Sequence, residues 1–303
     1  MSLGGEEYVL RYGDYEAVVT QVGAGLRTLR HGGTGLVLGY GAGEVRPVYR
    51  GALLAPWPNR VVDGRYSFAA EDLQLDLSEP ERGHALHGLV AWSRFDLLAS
   101  DSSSVALGHA IVPRTGYPFA VEVRARYALA EDGLTCTATA RNIGGRPAPY
   151  GVGSHPYLLA GPGQVDGWTL EVPADLVQEV TGERLLPQGV VDVGGDRDFR
   201  RPRVVGTTVL DHAFTGLRPD DDGRARARVT GPDGTGVEVE WDPQVQPWVQ
   251  VHTADRPDPD ESRRGLALEP MTCPPGAFGS GTDVVVLEPG QEHSAAWTIR
   301  AMA

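Results

Sequence analysis

An all-β fold, a large twisted β-sandwich, is predicted by three features of this chain. Apolar and polar residues alternate with a period of two through much of its length. No stretch of helical length carries a convincing apolar stripe. Glycine and proline, 40 and 23 of the 303 residues, fall mostly between the alternating runs, where turns need them. The span 1–303 reads as a single domain, with residues 1–5 an appendage to it.

Taken in order, the strand candidates begin with Tyr15 to Val22, Leu73 to Leu77 and Ser104 to Val112. In Val121 to Tyr127 the odd positions are apolar and the even ones charged, and alternation resumes in Leu134 to Ala140. Between these runs lies Glu131-Asp132-Gly133, so an Asp-Gly turn closes a β-hairpin. Trp168 to Val172 follows. Arg224 to Thr230, the turn Gly231-Pro232-Asp233-Gly234, and Val237 to Trp241 form a second hairpin. Trp248 to Thr253, Asp283 to Leu287 and Ser294 to Arg300 complete the set. Asp220 to Gly223 and Asp255 to Arg264 read as solvated loops, and no internal repeat is visible.

Composition excludes several kinds of chemistry. The 27 basic residues are all arginine, so a lysine Schiff base, a pyridoxal-phosphate aldimine and a phosphate-loop lysine are ruled out. A net charge of −13 argues against nucleic acid and anionic membrane as partners. The start of the chain shows neither a basic n-region nor an apolar core, and no apolar run approaches membrane-spanning length. With two cysteines, Cys136 and Cys273, no disulfide framework is possible, and the expected compartment is the cytoplasm.

Five stretches combine ionisable groups with tight backbone. Gly151-Val152-Gly153-Ser154-His155-Pro156-Tyr157-Leu158 sets a histidine in extended backbone before a proline. Its glycines suit a floor that another molecule approaches closely. The plainer reading of His155 is a buried ring bonded to a backbone carbonyl. Ala55-Pro56-Trp57-Pro58-Asn59-Arg60 stiffens the approach to Arg60, whose plainer reading is a surface ion pair. His84-Ala85-Leu86-His87-Gly88 offers two histidines but no third metal ligand at a recognisable spacing, which leaves a cupin-like metal site weakly supported. Leu210-Asp211-His212-Ala213-Phe214 holds an acid and a histidine in an apolar strand. In Leu266-Ala267-Leu268-Glu269-Pro270-Met271, burial should raise the Glu269 pKa unless a cation or donors hold its charge, as a general acid or base requires. A structural Glu–Arg pair competes with that reading. The Ser154 context lacks a nucleophile elbow, and no dinucleotide fingerprint precedes a helix.

In this order, Pro58-Asn59-Arg60-Val61 with Gly64-Arg65-Tyr66, Leu86-His87-Gly88, His155-Pro156-Tyr157, Asp211-His212-Ala213-Phe214 and Leu268-Glu269-Pro270 resemble the aldose 1-epimerase (mutarotase) family. The resemblance implies a galactose mutarotase-like sandwich with an open carbohydrate cleft and no required metal or cofactor. It implies Glu269 as general base, His155 as general acid, and Arg60, His87 and Asp211 as sugar-binding residues. Asn59 joins these as a further substrate contact, and Trp248 or Trp57 is a candidate to stack on a pyranose, with core packing the plainer reading of either. The sequence departs from the best-known galactose-type members at Leu89, at Ser154 with Leu159, and at Met271, which removes amides that reach sugar hydroxyls. It resembles more closely a less-characterised bacterial branch. Arg200, Arg201 and Arg203 would serve a sulfonated or phosphorylated sugar.

The expected partner is a free monosaccharide, with no nucleic acid or membrane, and the protein a monomer or homodimer. A glycosidase using Asp211 and Glu269 as paired carboxylates is the alternative enzyme, and a non-catalytic carbohydrate-binding sandwich is the alternative without chemistry.

Overall fold

A computed structural model describes residues 2–302. Three antiparallel sheets carry the fold. A four-stranded sheet runs in the order Glu7–Tyr12, Tyr15–Thr20, Gly25–His31, Thr34–Gly35. A nine-stranded sheet follows the order Asp96–Ser100, Ser104–Ile111, Val121–Ala130, Gly133–Asn142, Glu292–Met302, Gly236–Trp241, Ala225–Thr230, Thr169–Glu171, Arg203–Val204. The eight-stranded sheet orders Pro187–Asp192, Ala174–Val180, Asp211–Leu217, Trp248–His252, Leu266–Met271, Gly153–Ser154 and Leu53–Leu54, with Tyr157–Leu158 also paired to Leu266–Met271. Among the described residues the one α-helix is Ala277–Ser280, and no helix is long and apolar enough to cross a membrane.

Alternation explains the layering. In Val121–Ala130 the odd residues are buried, and one core joins Val123, Ala125 and Tyr127 to Val249, Val251 and Leu268 of the eight-stranded sheet. Ala17, Val19 and Leu29 of the four-stranded sheet enter the same core. Both predicted hairpins are present. Thr230 faces Gly236 across the second, and Ala130 faces Gly133 across the first. The first turn is therefore Glu131-Asp132, a correction to the Asp-Gly reading. Gly133 opens the return strand at φ 117°, where a Cβ would lie 2.4 Å from the Ile299 carbonyl oxygen.

The candidate at Leu73 to Leu77 is displaced to Glu71–Gln74, because it pairs with Arg65–Phe68 through Ala69-Ala70. Residues 2–5, expected as an appendage, are tied down: the Leu3 amide donates to the Ala42 carbonyl and the Val22 amide to that of Gly4, both at 2.9 Å. Met1 lies outside the described residues.

Candidate active site

The eight-stranded sheet has one face on the core and one over a cleft. Along Leu266–Met271, Leu266 and Leu268 enter the core, so Glu269 projects from the opposite face. The next strand repeats the pattern: Val249 and Val251 are core, and Gln250 and His252 stand with Glu269. Asp211 is the register partner of His252, and Gln250 that of Glu269. His155 joins this face from between Gly153–Ser154 and Tyr157–Leu158, its amide donating to the Ala52 carbonyl at 3.1 Å. The glycines beside it admit the chain's own neighbouring strand, contrary to the expectation of a floor for another molecule. A Cβ at Gly151 would meet Cys273 Sγ at 2.5 Å, and one at Gly153 would meet Met271 at 3.1 Å.

The resulting cleft, about 250 Å³, brings together Asn59, Arg60, His87, His155, Asp211 and Glu269. At its floor, His155 Nε2 lies 3.5 Å from Glu269 Oε1. The His155 ring stacks on Tyr157 at 4.9 Å and meets the His87 ring edge-on at 5.1 Å. The Asn59 amide donates to His87 Nδ1 at 3.2 Å, which leaves the neutral His87 ring a donor at Nε2. Both Asn59 and His87 have positive φ, 53° and 61°, and this left-handed backbone aims them at each other. Arg60 is no surface residue: its guanidinium donates twice to Glu79, at 2.8 and 3.0 Å, and its Nη1 stands 3.8 Å from Asp211 Oδ2.

Burial dominates the electrostatics of the floor. It pushes Glu269 well above the usual carboxyl range, with the Asp211 charge adding to the rise and Arg60 opposing it. It pushes His155 down to about 3, helped by His252. His87 falls through burial, then through His155 and Arg60. Burial also pushes Asp211 up, but His252, Arg60 and the Gln250 amide outweigh it and hold the carboxylate below its usual range.

Several expectations are corrected by position. Trp248 lies outside the cleft lining, 3% exposed against Ala213 and Met271, its indole N–H donating to Asp283 at 2.7 Å. Trp57 is buried too, and donates to the Ala85 carbonyl at 3.3 Å. Tyr49 and Tyr157 are the aromatic rings that line the cleft. His84 is fully buried, accepting from the Asp63 amide and meeting the Arg184 carbonyl at 2.8 Å. Arg200, Arg201 and Arg203 line a separate surface hollow, where Arg200 is held by Asp198. Among the described residues, no group of three His, Cys, Asp or Glu could hold a metal ion. Sequence reasoning missed Glu79, Gln250, His252 and Arg256, which also belong to this neighbourhood. Gln250 and His252 did leave a signal, as polar residues at alternate positions of an otherwise apolar strand.

The sandwich and cleft define a galactose mutarotase-like fold. Solved structures share it over nearly the whole chain. An aldose epimerase homologue from C. elegans superposes with a TM-score of 0.86 at 17% identity, covering 98% of this chain and 99% of its own. A galactose 1-epimerase from Lactobacillus acidophilus gives 0.81 at 20% identity, covering 98% and 95%. The uncharacterised protein YihR of Escherichia coli K12 is 35% identical over 296 residues, 97% of this chain and 92% of that protein. The model of the aldose 1-epimerase family matches residues 6–300. The chain belongs to the aldose 1-epimerase family.

Proposed function

We propose that the protein is a sugar mutarotase, an isomerase that interconverts the α and β anomers of a free monosaccharide. The observation that carries this reading is the contact of Glu269 with His155 at the floor of the cleft. Family membership and the mutarotase-like fold support it. Anomerisation needs one group to take the proton of the C1 hydroxyl and another to give one to the ring oxygen. The C1–O5 bond then breaks, the aldehyde turns about C1–C2, and reclosure on the other face returns both protons. Glu269 as base and His155 as acid meet this need, each such transfer contributing about 10²–10⁴-fold. The pair must hold one proton in total, so the rate should be bell-shaped in pH. The neutral His87 donor, Arg60, Asp211 and Asn59 would hold hydroxyls around the ring. At about 250 Å³ the cleft lies below the ~300–1,000 Å³ of drug-sized sites, as suits one sugar ring.

The contact partner of Glu269 is a histidine, whereas a glycosidase would pair it with Asp211, which is engaged by Gln250. Anomer exchange followed by NMR over a panel of α-aldoses should be accelerated for at least one sugar, with no nitrophenol released from aryl glycosides. Release of nitrophenol without faster exchange would establish the glycosidase instead. Exhaustive chelation should leave the exchange rate unchanged.

A further inference from the structure

On the adjacent strands Trp248–His252 and Leu266–Met271, two buried acceptors at the floor of the cleft have nothing to accept. Gln250 Oε1 and Glu269 Oε2 are both buried without a hydrogen-bond partner among the described residues. They belong to residues that face each other across adjacent strands, 2% and 1% exposed. Side chains so placed are near neighbours on one sheet face. The orientation of the Gln250 amide is set from its other end. Its Nε2 donates to Asp211 Oδ1 at 2.6 Å, and an ionised carboxylate there can only accept. The carbonyl oxygen is therefore the atom left free for Glu269, the cross-strand partner of Gln250. Were Glu269 ionised, its Oε2 and the Gln250 carbonyl would be neighbouring acceptors with no donor for either. Each unsatisfied group costs about 1–3 kcal/mol, more when charged.

The geometry points to Gln250 as a positioning residue that holds Glu269 as a neutral carboxylic acid in the sugar-free protein. One proton on Oε2, donated to Gln250 Oε1, satisfies both orphans. It also completes a chain of bonds with a single direction. Glu269 Oε2 donates to Gln250 and Gln250 donates to Asp211, whose second oxygen faces Arg60 Nη1 at 3.8 Å, while His155 Nε2 stands 3.5 Å from Glu269 Oε1. The groups around Glu269 agree in balance. Desolvation and the Asp211 charge favour the neutral acid, while Arg60 alone opposes it. His87 and His155 are kept neutral by the same burial. His252 and Arg256 stand at the cleft wall, and Tyr157 packs on His155. The consequence for turnover rests on the mutarotase reading: Gln250 sets the pH at which the acid–imidazole pair loses the one proton that catalysis requires.

Infrared difference spectroscopy on the sugar-free protein tests the resting state without any reaction. Near pH 6, above the ordinary carboxyl range of about 4.3, wild type should show a carboxylic-acid C=O band that Glu269→Gln lacks. In Gln250→Met the band should titrate about one unit lower, and the basic limb of kcat/KM should move with it. A role confined to packing would change stability and leave both titrations in place. Should Gln250→Met fail to fold, Asp211→Asn is the second variant. It removes the neighbouring charge and frees the amide to turn its NH₂ toward Glu269, so it too should lower the titration. An ionised Glu269 near pH 6 in wild type overturns the proposal, as does a band unmoved by a folded Gln250 or Asp211 variant. A protein with the band but no anomer exchange would refute the mutarotase reading and leave this arrangement standing.

Discussion

Glu269 and His155 move in opposite directions from their ordinary ranges for one reason, that burial disfavours charge on either. The signs of the resulting stability changes are opposite as well. Glu269 keeps its proton when folded but loses it near 4.5 when unfolded, so its contribution is present below 4.5 and lost as pH rises through the folded value. His155 stays neutral when folded down to about 3, whereas the unfolded ring takes a proton near 6.5. Its contribution is present above 6.5 and lost as pH falls toward 3. Between 4.5 and 6.5 the pair binds one proton in either state, and the two effects cancel. Single variants should break that cancellation. Relative to wild type, Glu269→Gln should lose stability on acidification across this window, and His155→Asn should lose it on alkalinisation. Each slope should approach ~1.4 kcal/mol per pH unit, and the double variant should return to the wild-type slope. Urea midpoints at the two ends of the window read this directly; slopes of equal sign would refute it. These two residues were legible because each is an ionisable group in a largely apolar stretch beside a proline. Their shared proton was not legible, since it depends on a 3.5 Å contact between segments over a hundred residues apart.

At the scale of elements, the hairpins with recognisable turns were legible, and one without them was not. Ala69-Ala70 turns the strands Arg65–Phe68 and Glu71–Gln74 with both residues at positive φ, 50° and 64°, where Asn or Gly would announce a turn. The same left-handed backbone shapes the cleft. His87-Gly88 carries positive φ at both positions, and a Cβ at Gly88 would lie 2.1 Å from the Ala55 carbonyl oxygen. That contact is with backbone, so no side chain can yield to relieve it. Gly88→Ala should therefore shift the segment that aims His87, lowering stability by more than the ~1 kcal/mol of an ordinary glycine effect. It should raise KM more than it lowers kcat, because His87 is assigned to binding while the Glu269–His155 pair is untouched. Steady-state anomer exchange separates these parameters. A change confined to kcat would show that the segment supports the acid–base pair instead.

At the scale of the molecule, the alternation that predicted a sandwich also leaves each main sheet an outer face, and these faces have different uses. Sheet order and this division were beyond reach of the sequence, since they depend on which distant strands pair. On the nine-stranded sheet, Arg228 faces Glu238 and Glu238 faces Arg300 across successive strands. Glu238 meets Arg228 Nε at 2.6 Å and Arg300 Nε at 3.2 Å. On the cleft side, Glu79 holds Arg60 by two bonds and Arg82 Nη1 at 2.9 Å. Both carboxylates are largely buried and both serve arginines, at 7% and 4% exposure, so their neutralisation compares the two faces with like chemistry. Glu238→Gln should cost about 1.5–3 kcal/mol, the scale of hydrogen bonds to a charged group, and leave turnover and KM unchanged. Glu79→Gln should cost more, about 3–5 kcal/mol, because buried Arg60 loses the one carboxylate hydrogen-bonded to it. It should also raise KM, because Arg60 then keeps only Asp211 as a counter-charge over the cleft, and through Asp211 it should disturb Gln250. Denaturant unfolding and anomer-exchange kinetics on the two variants check this together. An unchanged KM in Glu79→Gln would place Arg60 among the residues that build the cleft and not among those that grip the sugar.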